Sequence, residues 1–210
     1  MLRQGFIEAE QPEVQRAYGQ LIPPSERLAE RLRGELADVS APDSRVRNAA
    51  LTMLAREVFK EYSAQLKEWL ADPRTTDALL GALADPDPHV AEKAAGILSV
   101  IVSRYFPDRR AFAPMAALLN SGRKQTRVYA VFTLAHLAHG ELWGVLLPAL
   151  ADKAREVRHA ACRAAVFNLV PAELSKSTRE MFQGALRECL SDSDPATRSM
   201  AEKALRKLGG

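Results

Sequence analysis

The chain has 210 residues, of which 47% are hydrophobic and 26% charged, the balance of an ordinary folded protein and not of a disordered or fibrous one. A net charge of +3 is small for this length and argues against a nucleic-acid binder, which carries a larger or more clustered excess. The N-terminal stretch lacks the apolar run of a signal peptide, and no segment reaches the roughly 18 apolar residues of a membrane span, so a cytoplasmic protein without membrane contact is expected.

Aromatic residues are only 6% of the chain, alanine and leucine are abundant, and β-branched runs are short. That bias favours closely packed helices over sheet. Residues 1–22 show no repeat pattern; Phe6, Ile7, Val14, Tyr18, Leu21 and Ile22 are expected to form an N-terminal extension or capping helix over the first apolar face behind it. Pro23-Pro24 separates it from a repeat domain covering 23–210. Segment 25–37 opens with serine and early acids, and Leu28, Leu32 and Leu36 fall on one helical face. After Ala41-Pro42-Asp43 a second helix runs through Leu51, Leu54 and Val58. The stretch 61–71 has no glycine or proline and either prolongs that helix or makes a short one of its own.

Asp72-Pro73 is a helix start, because aspartate accepts orphan amides and proline fits the first helical position. This helix carries Leu79, Leu80 and Leu83 and ends at Asp85-Pro86. Asp87-Pro88 restarts the chain as a helix through Val90, Ile97 and Ile101, stopping before Pro107. Asp108 opens the next, which breaks at 120–122 and continues in a partner through Val131 and Leu134 to Gly140. A short helix at 141–150 and a longer one at about 153–170 follow, then Pro171 and a last pair near 177–190 and 194–208. Leu208-Gly209-Gly210 is read as a helix stopped by glycine.

Anchoring each second helix on a residue near its start gives Val46, Val90, Val128, Val157 and Thr197. Four residues later stand Ala50, Ala94, Phe132, Ala161 and Ala201; eight later stand Leu54, Leu98, His136, Ala165 and Leu205. Small residues one turn beyond the anchor let neighbouring helices approach, and larger apolar residues fill the next layer. The pattern resembles the HEAT repeat family, kin of armadillo repeats, over roughly residues 25–208. The resemblance implies an all-α, right-handed α-α superhelix of about five helix pairs. It also implies a ladder in which a turn aspartate precedes by six residues an arginine of the second helix. Asp152/Arg158 and Asp192/Arg198 match, and Arg158 is expected to pair mainly with Asp152. The third repeat has Arg123 where the aspartate is expected.

Candidate chemistry is sparse. His136 and His139, with His159 and Cys162 on the next repeat, suggest a nitrogen and sulfur metal site. Their offset of about six residues is about 9 Å along stacked helices, with about 8–10 Å between axes, so no metal or cofactor is expected. Cys162 and Cys189 are read as buried reduced thiols. Deoxyhypusine hydroxylases, which are HEAT-repeat enzymes, hold two irons through His-Glu dipeptides, and none of His89, His136, His139 or His159 precedes a glutamate. DNA alkylation-repair glycosylases of this fold use tryptophans and a basic groove; here only Trp69 and Trp143 are present, and the expected groove positions Asn48, Glu92, Ala130, His159 and Ser199 are not basic. There is no Gly-rich phosphate loop and no nucleophile elbow.

Positive charge gathers in two consecutive turns, as Arg123, Lys124 and Arg127, then Lys153, Arg155 and Arg158, between turns carrying Asp85/Asp87 and Asp192/Asp194. The expected function is a non-enzymatic, monomeric scaffold holding a protein or peptide, acidic if the ridge takes part, through its concave groove and this basic ridge. Arg123, Lys124, Arg127, Lys153, Arg155 and His159 are its expected contacts, and Asp152, Arg158, Asp192 and Arg198 the structural ladder. Adaptor, assembly factor and immunity-type inhibitor fit equally. The alternatives are a nucleic-acid-binding or alkylation-repair-like protein, and a lyase or other enzyme on the same scaffold.

Overall fold

A computed structural model describes residues 24–60 and 64–209, with side chains over 30–60 and 66–209. The expected capping helix at 1–22 and the side chain of Leu28 lie outside the described residues. Those residues form helices joined by turns: α1 (Pro24–Asp38), α2 (Ser44–Val58), α3 (Ala64–Leu70), α4 (Pro73–Ala82), α5 (Pro88–Arg104), α6 (Phe112–Leu118), α7 (Lys124–Leu137), α8 (Leu147–Leu150), α9 (Arg155–Phe167), α10 (Lys176–Cys189) and α11 (Pro195–Leu208). The stretch after α2 is thus a separate short helix.

Among the described residues five helix pairs stack in chain order, and their second members are α2, α5, α7, α9 and α11. Each second helix packs extensively on the second helices of its neighbours, whereas first helices touch one another little. Closer approach along one side curves the stack toward that side, so the second helices line the concave face. One apolar core runs through the described pairs, from Leu32 and Leu54 through Leu98 and Leu134 to Phe182 and Leu205. No single pair could bury its stripe alone. At Gly96 a Cβ would come within 3.1 Å of the Tyr129 ring, so glycine permits the close seating of α7 on α5.

Aspartates set the helix starts. The carboxylates of Asp43, Asp72 and Asp87 each accept from the backbone N–H two residues on, and Asp194 from that of Thr197. Gly209 closes α11 in the left-handed conformation, φ 76°, as the terminal glycines suggested. The expected helix at 141–150 is instead a 3-10 stretch, Gly140–Leu146, followed by the single turn α8. Pro148 has no N–H to give the Gly144 carbonyl, and the Leu147 N–H takes that carbonyl at the tighter spacing. Helix α9 is shorter than the expected 153–170, ending at Phe167 with Asn168 as its cap.

The largest correction concerns the register of the third repeat. Helices α2, α5, α9 and α11 each begin with an N-cap three residues before the anchor, and in α7 the N-cap is Arg123. The anchor there is therefore Thr126, not Val128. Threonine matches valine in shape and is buried at that place, as is Thr197 in the last repeat. With this shift an alanine stands four residues beyond every anchor, at Ala50, Ala94, Ala130, Ala161 and Ala201, and all five are buried. Ala130, expected to face the groove, is a core residue; Phe132 and His136, expected in core layers, move to the concave stripe.

Candidate functional site

The N-terminal ends of the second helices carry the basic turns. Arg47 donates through Nε and Nη2 to Asp85 of the next repeat, at 2.6 and 2.9 Å, while its Nη1 reaches the Ala41 carbonyl at 2.8 Å. Arg127 does the same with Asp152, at 2.7 and 2.8 Å, and with the Ser121 carbonyl at 2.8 Å. Arg158 grips Asp192 and donates to the Asp152 carbonyl. Each aspartate also accepts from the N–H two residues on, at Asp87, Ala154 and Asp194. Such a planar bidentate fork is a geometry only arginine provides.

The ladder partners therefore differ from the expected ones. Arg158 pairs with Asp192 of the following repeat, and meets Asp152 only through the main chain. Arg127, grouped with the docking residues in the sequence, is 4% exposed and engaged by Asp152 and by the Ser121 and Gly122 carbonyls of its own turn, so it is not free to touch a partner. Arg198 binds the carbonyls of its own turn, Asp192 and Ser193. Between repeats two and three the ladder positions hold Ala91 and Ser121. There Glu92 and Arg123 meet at 2.7 Å instead, a rung of reversed polarity. Lys124 pairs with Glu156 at 2.6 Å across the next step.

Electrostatics follow the contacts. The Arg158 guanidinium holds the Asp192 carboxyl down at about 2, and Arg47 lowers Asp85. At Asp152 burial pushes upward, but the bonds from Arg127 and the Ala154 N–H outweigh it and the net shift is down. Of the expected contact residues, Lys153 is exposed and makes no ion pair among the described residues, and Arg155 is 69% exposed, with Glu156 only at 4.0 Å. His159 is half-buried, its Nδ1 3.9 Å from Asp194 and without a hydrogen bond. The ridge is a mostly neutralised structural seam.

The C-terminal ends of the same helices are different. A concave cavity of about 460 Å³ opens there, lined only by α5, α7, α9 and the Asn168 cap. The Arg163 guanidinium lies 5.8 Å from the Phe132 ring centroid and 5.7 Å from that of Phe167. Phe167 is 65% exposed. On the far wall Arg104 donates to the Lys60 carbonyl at 3.1 Å, and His136 Nδ1 lies 2.8 Å from the Phe132 carbonyl. No carboxylate lines the cavity.

The other candidate chemistry does not assemble. Among the described residues no group of three or more His, Cys, Asp or Glu side chains is placed to hold a metal ion. Cys162 and Cys189 are free and buried; the thiol of Cys189 and burial push Cys162 up, away from thiolate. Trp143 is a core residue packed edge-on to Phe182, centroids 6.2 Å apart. Asp72 caps α4 and pairs with Arg74, and Trp69 is partly buried against the core. No described helix is long and apolar enough to cross a membrane.

Neither the protein-family models nor the curated proteins yield a match to this chain; the solved structures do. A computationally designed armadillo repeat protein for modular peptide recognition superposes with a TM-score of 0.67 at 19% identity, over 82% of this chain and 80% of that one. An engineered protein gives 0.66 at 21% identity, over 85% and 79%. A designed armadillo repeat protein in complex with the peptide (KR)4 gives 0.57 at 16% identity, over 84% and 99%. The fold is an armadillo-like helical repeat solenoid.

In this solenoid the cavity follows from register. Phe132 and Arg163 both stand six residues beyond their anchors, Thr126 and Val157, and His136 and Phe167 both stand ten beyond. Equivalent positions on adjacent second helices lie side by side, so the four side chains meet. The Val128 anchor hid this by assigning Phe132 and His136 to core layers. The spacing Arg163–Phe167, one turn apart on one helix, was the signal available.

Proposed function

We propose that the solenoid is a non-enzymatic scaffold that holds an extended segment of a partner protein along its concave face. One observation carries this reading: the cavity framed by Phe132, Arg163 and Phe167 opens on the surface built from second helices, with a large aromatic side chain left exposed beside it. Concave sites with apolar walls and a few placed polar groups are the usual form of binding sites. The likeness to designed peptide-binding repeat proteins supports the reading by analogy of fold. Of the ridge residues, Lys153 and Arg155 are the ones with charge to spare, and they form a secondary contact at the other end of the groove. A location in the cytoplasm and a monomeric state belong to the same proposal.

A photo-crosslinker placed at Ser103, exposed on the concave wall, and another at Arg187, exposed on first helix α10, test the scaffold in its native host. Partner adducts from Ser103 and none from Arg187 support the concave face. Adducts from Arg187 alone would sink it.

A further inference from the structure

The concave face carries charge as well as shape. Arg163 makes no hydrogen bond and no ion pair among the described residues; its only recorded contacts are the two phenyl rings. A guanidinium stacked over aromatic faces keeps its in-plane N–H donors available for a planar acceptor, and Arg163 is exposed. Arg104 stands across the cavity. The same six-beyond position in the last repeat is Lys203, exposed and without an ion pair among the described residues. Ten beyond stands Lys207, whose ammonium donates to the Val166 carbonyl at 2.6 Å and so lies against α9. The concave ends of α5, α9 and α11 thus present cations, and the cavity itself holds no carboxylate to neutralise them.

We infer that this cavity recognises a carboxylate side chain in an acidic peptide segment, with Arg163 as its specificity-determining contact. The carboxylate accepts two parallel N–H bonds from the exposed edge of Arg163. Phe132 and Phe167 hold that edge in place, and the outer face of Phe167 takes an apolar side chain flanking the acid. His136, whose Nδ1–H donates to the Phe132 carbonyl, has Nε2 left to accept a backbone N–H of the peptide. The neighbouring lysines supply longer-range attraction for the rest of an acidic segment. The designed repeat protein bound to (KR)4 takes a basic peptide; here the groove has the opposite sign. This inference rests on the scaffold reading and names the chemistry of its occupant.

The test uses fluorescein-labelled alternating glutamate–leucine and lysine–leucine peptides, read by anisotropy at low ionic strength with the whole chain. The glutamate peptide is expected to bind at least about tenfold more tightly than the lysine peptide. Arg163→Gln and Phe167→Ala should each lose most of that preference, while Arg187→Gln, exposed on first helix α10 away from the groove, should retain it; thermal melts show whether the variants are folded. Equal binding of the two peptides overturns the proposal. So does full acidic preference in a folded Arg163→Gln chain, or tighter binding of duplex DNA or a phosphoserine peptide than of the glutamate peptide. A partner that crosslinks from Ser103 while the two peptides bind alike leaves the scaffold standing and removes only the carboxylate assignment.

Discussion

The two ends of the second helices carry the same kinds of residue and use them in opposite ways. At the N-terminal ends Arg47, Arg127 and Arg158 are drawn inward, each fixed by an aspartate of the next repeat and by carbonyls of its own turn. At the C-terminal ends Arg163 faces the groove against two phenyl rings, with no ion pair among the described residues. A cation whose donors are all satisfied binds the fold together and offers a partner little. One whose donors are open costs the fold little and offers a partner a great deal. Counting basic residues along the chain points to the first group; following their hydrogen bonds points to the second.

The strongest attempt to break that contrast is a pair of truncations. Arg127→Ala should cost about 3–5 kcal/mol, because it leaves Asp152 partly buried without its counter-charge. Arg163→Ala should cost less than about 1 kcal/mol, the worth of an exposed cation–π contact. Urea melts of the two variants measure the difference. Similar losses would mean that Arg163 is a structural residue as well, and the contrast would collapse.

Acid should reveal the same asymmetry. Asp192 is held at about 2 in the folded chain, below the roughly 3.9 of an unfolded aspartate. A depressed carboxyl stabilises the fold fully above the unfolded value, and the contribution is lost as pH falls through the folded one. The wild-type chain is therefore expected to lose stability progressively from about pH 4 toward pH 2. Asp192→Asn, less stable at neutral pH, should show a flatter dependence across that window, followed by circular dichroism. A slope as steep as that of the wild type would place the titrating groups elsewhere.

The smallest effects test the register. Thr126 Oγ1 is buried and has no hydrogen-bond partner, so Thr126→Val should stabilise by about 1 kcal/mol. Thr197 fills the equivalent place, but its hydroxyl donates to Asp194 at 2.7 Å. Thr197→Val should destabilise by about 1 kcal/mol. Opposite signs in thermal melts sharpen the alignment; the same sign in both would return the anchor to Val128.

Most of the architecture was legible along the chain. Asp72-Pro73, Asp87-Pro88 and Asp194-Pro195 mark helix starts that the structure uses, because caps and proline act within one turn and need no tertiary help. The third repeat resisted for the opposite reason. Its N-cap is an arginine without a capping side-chain bond, and its anchor is a threonine, so local cues favoured a valine two residues on. That slip misplaced Phe132 and Arg127 together. The first became a core residue and the second a surface one, and with them the cavity went unseen.

By itself, then, the sequence determined the helical repeats and most of their boundaries among the described residues, since these depend on periodicity and on caps that neighbouring residues supply. Only the tertiary structure decided which cations are free. Whether an arginine meets an aspartate 25 residues away, as Arg127 meets Asp152, or one 34 away, as Arg158 meets Asp192, depends on how adjacent repeats stack, and a shift of two residues in one helix exchanges inside for outside.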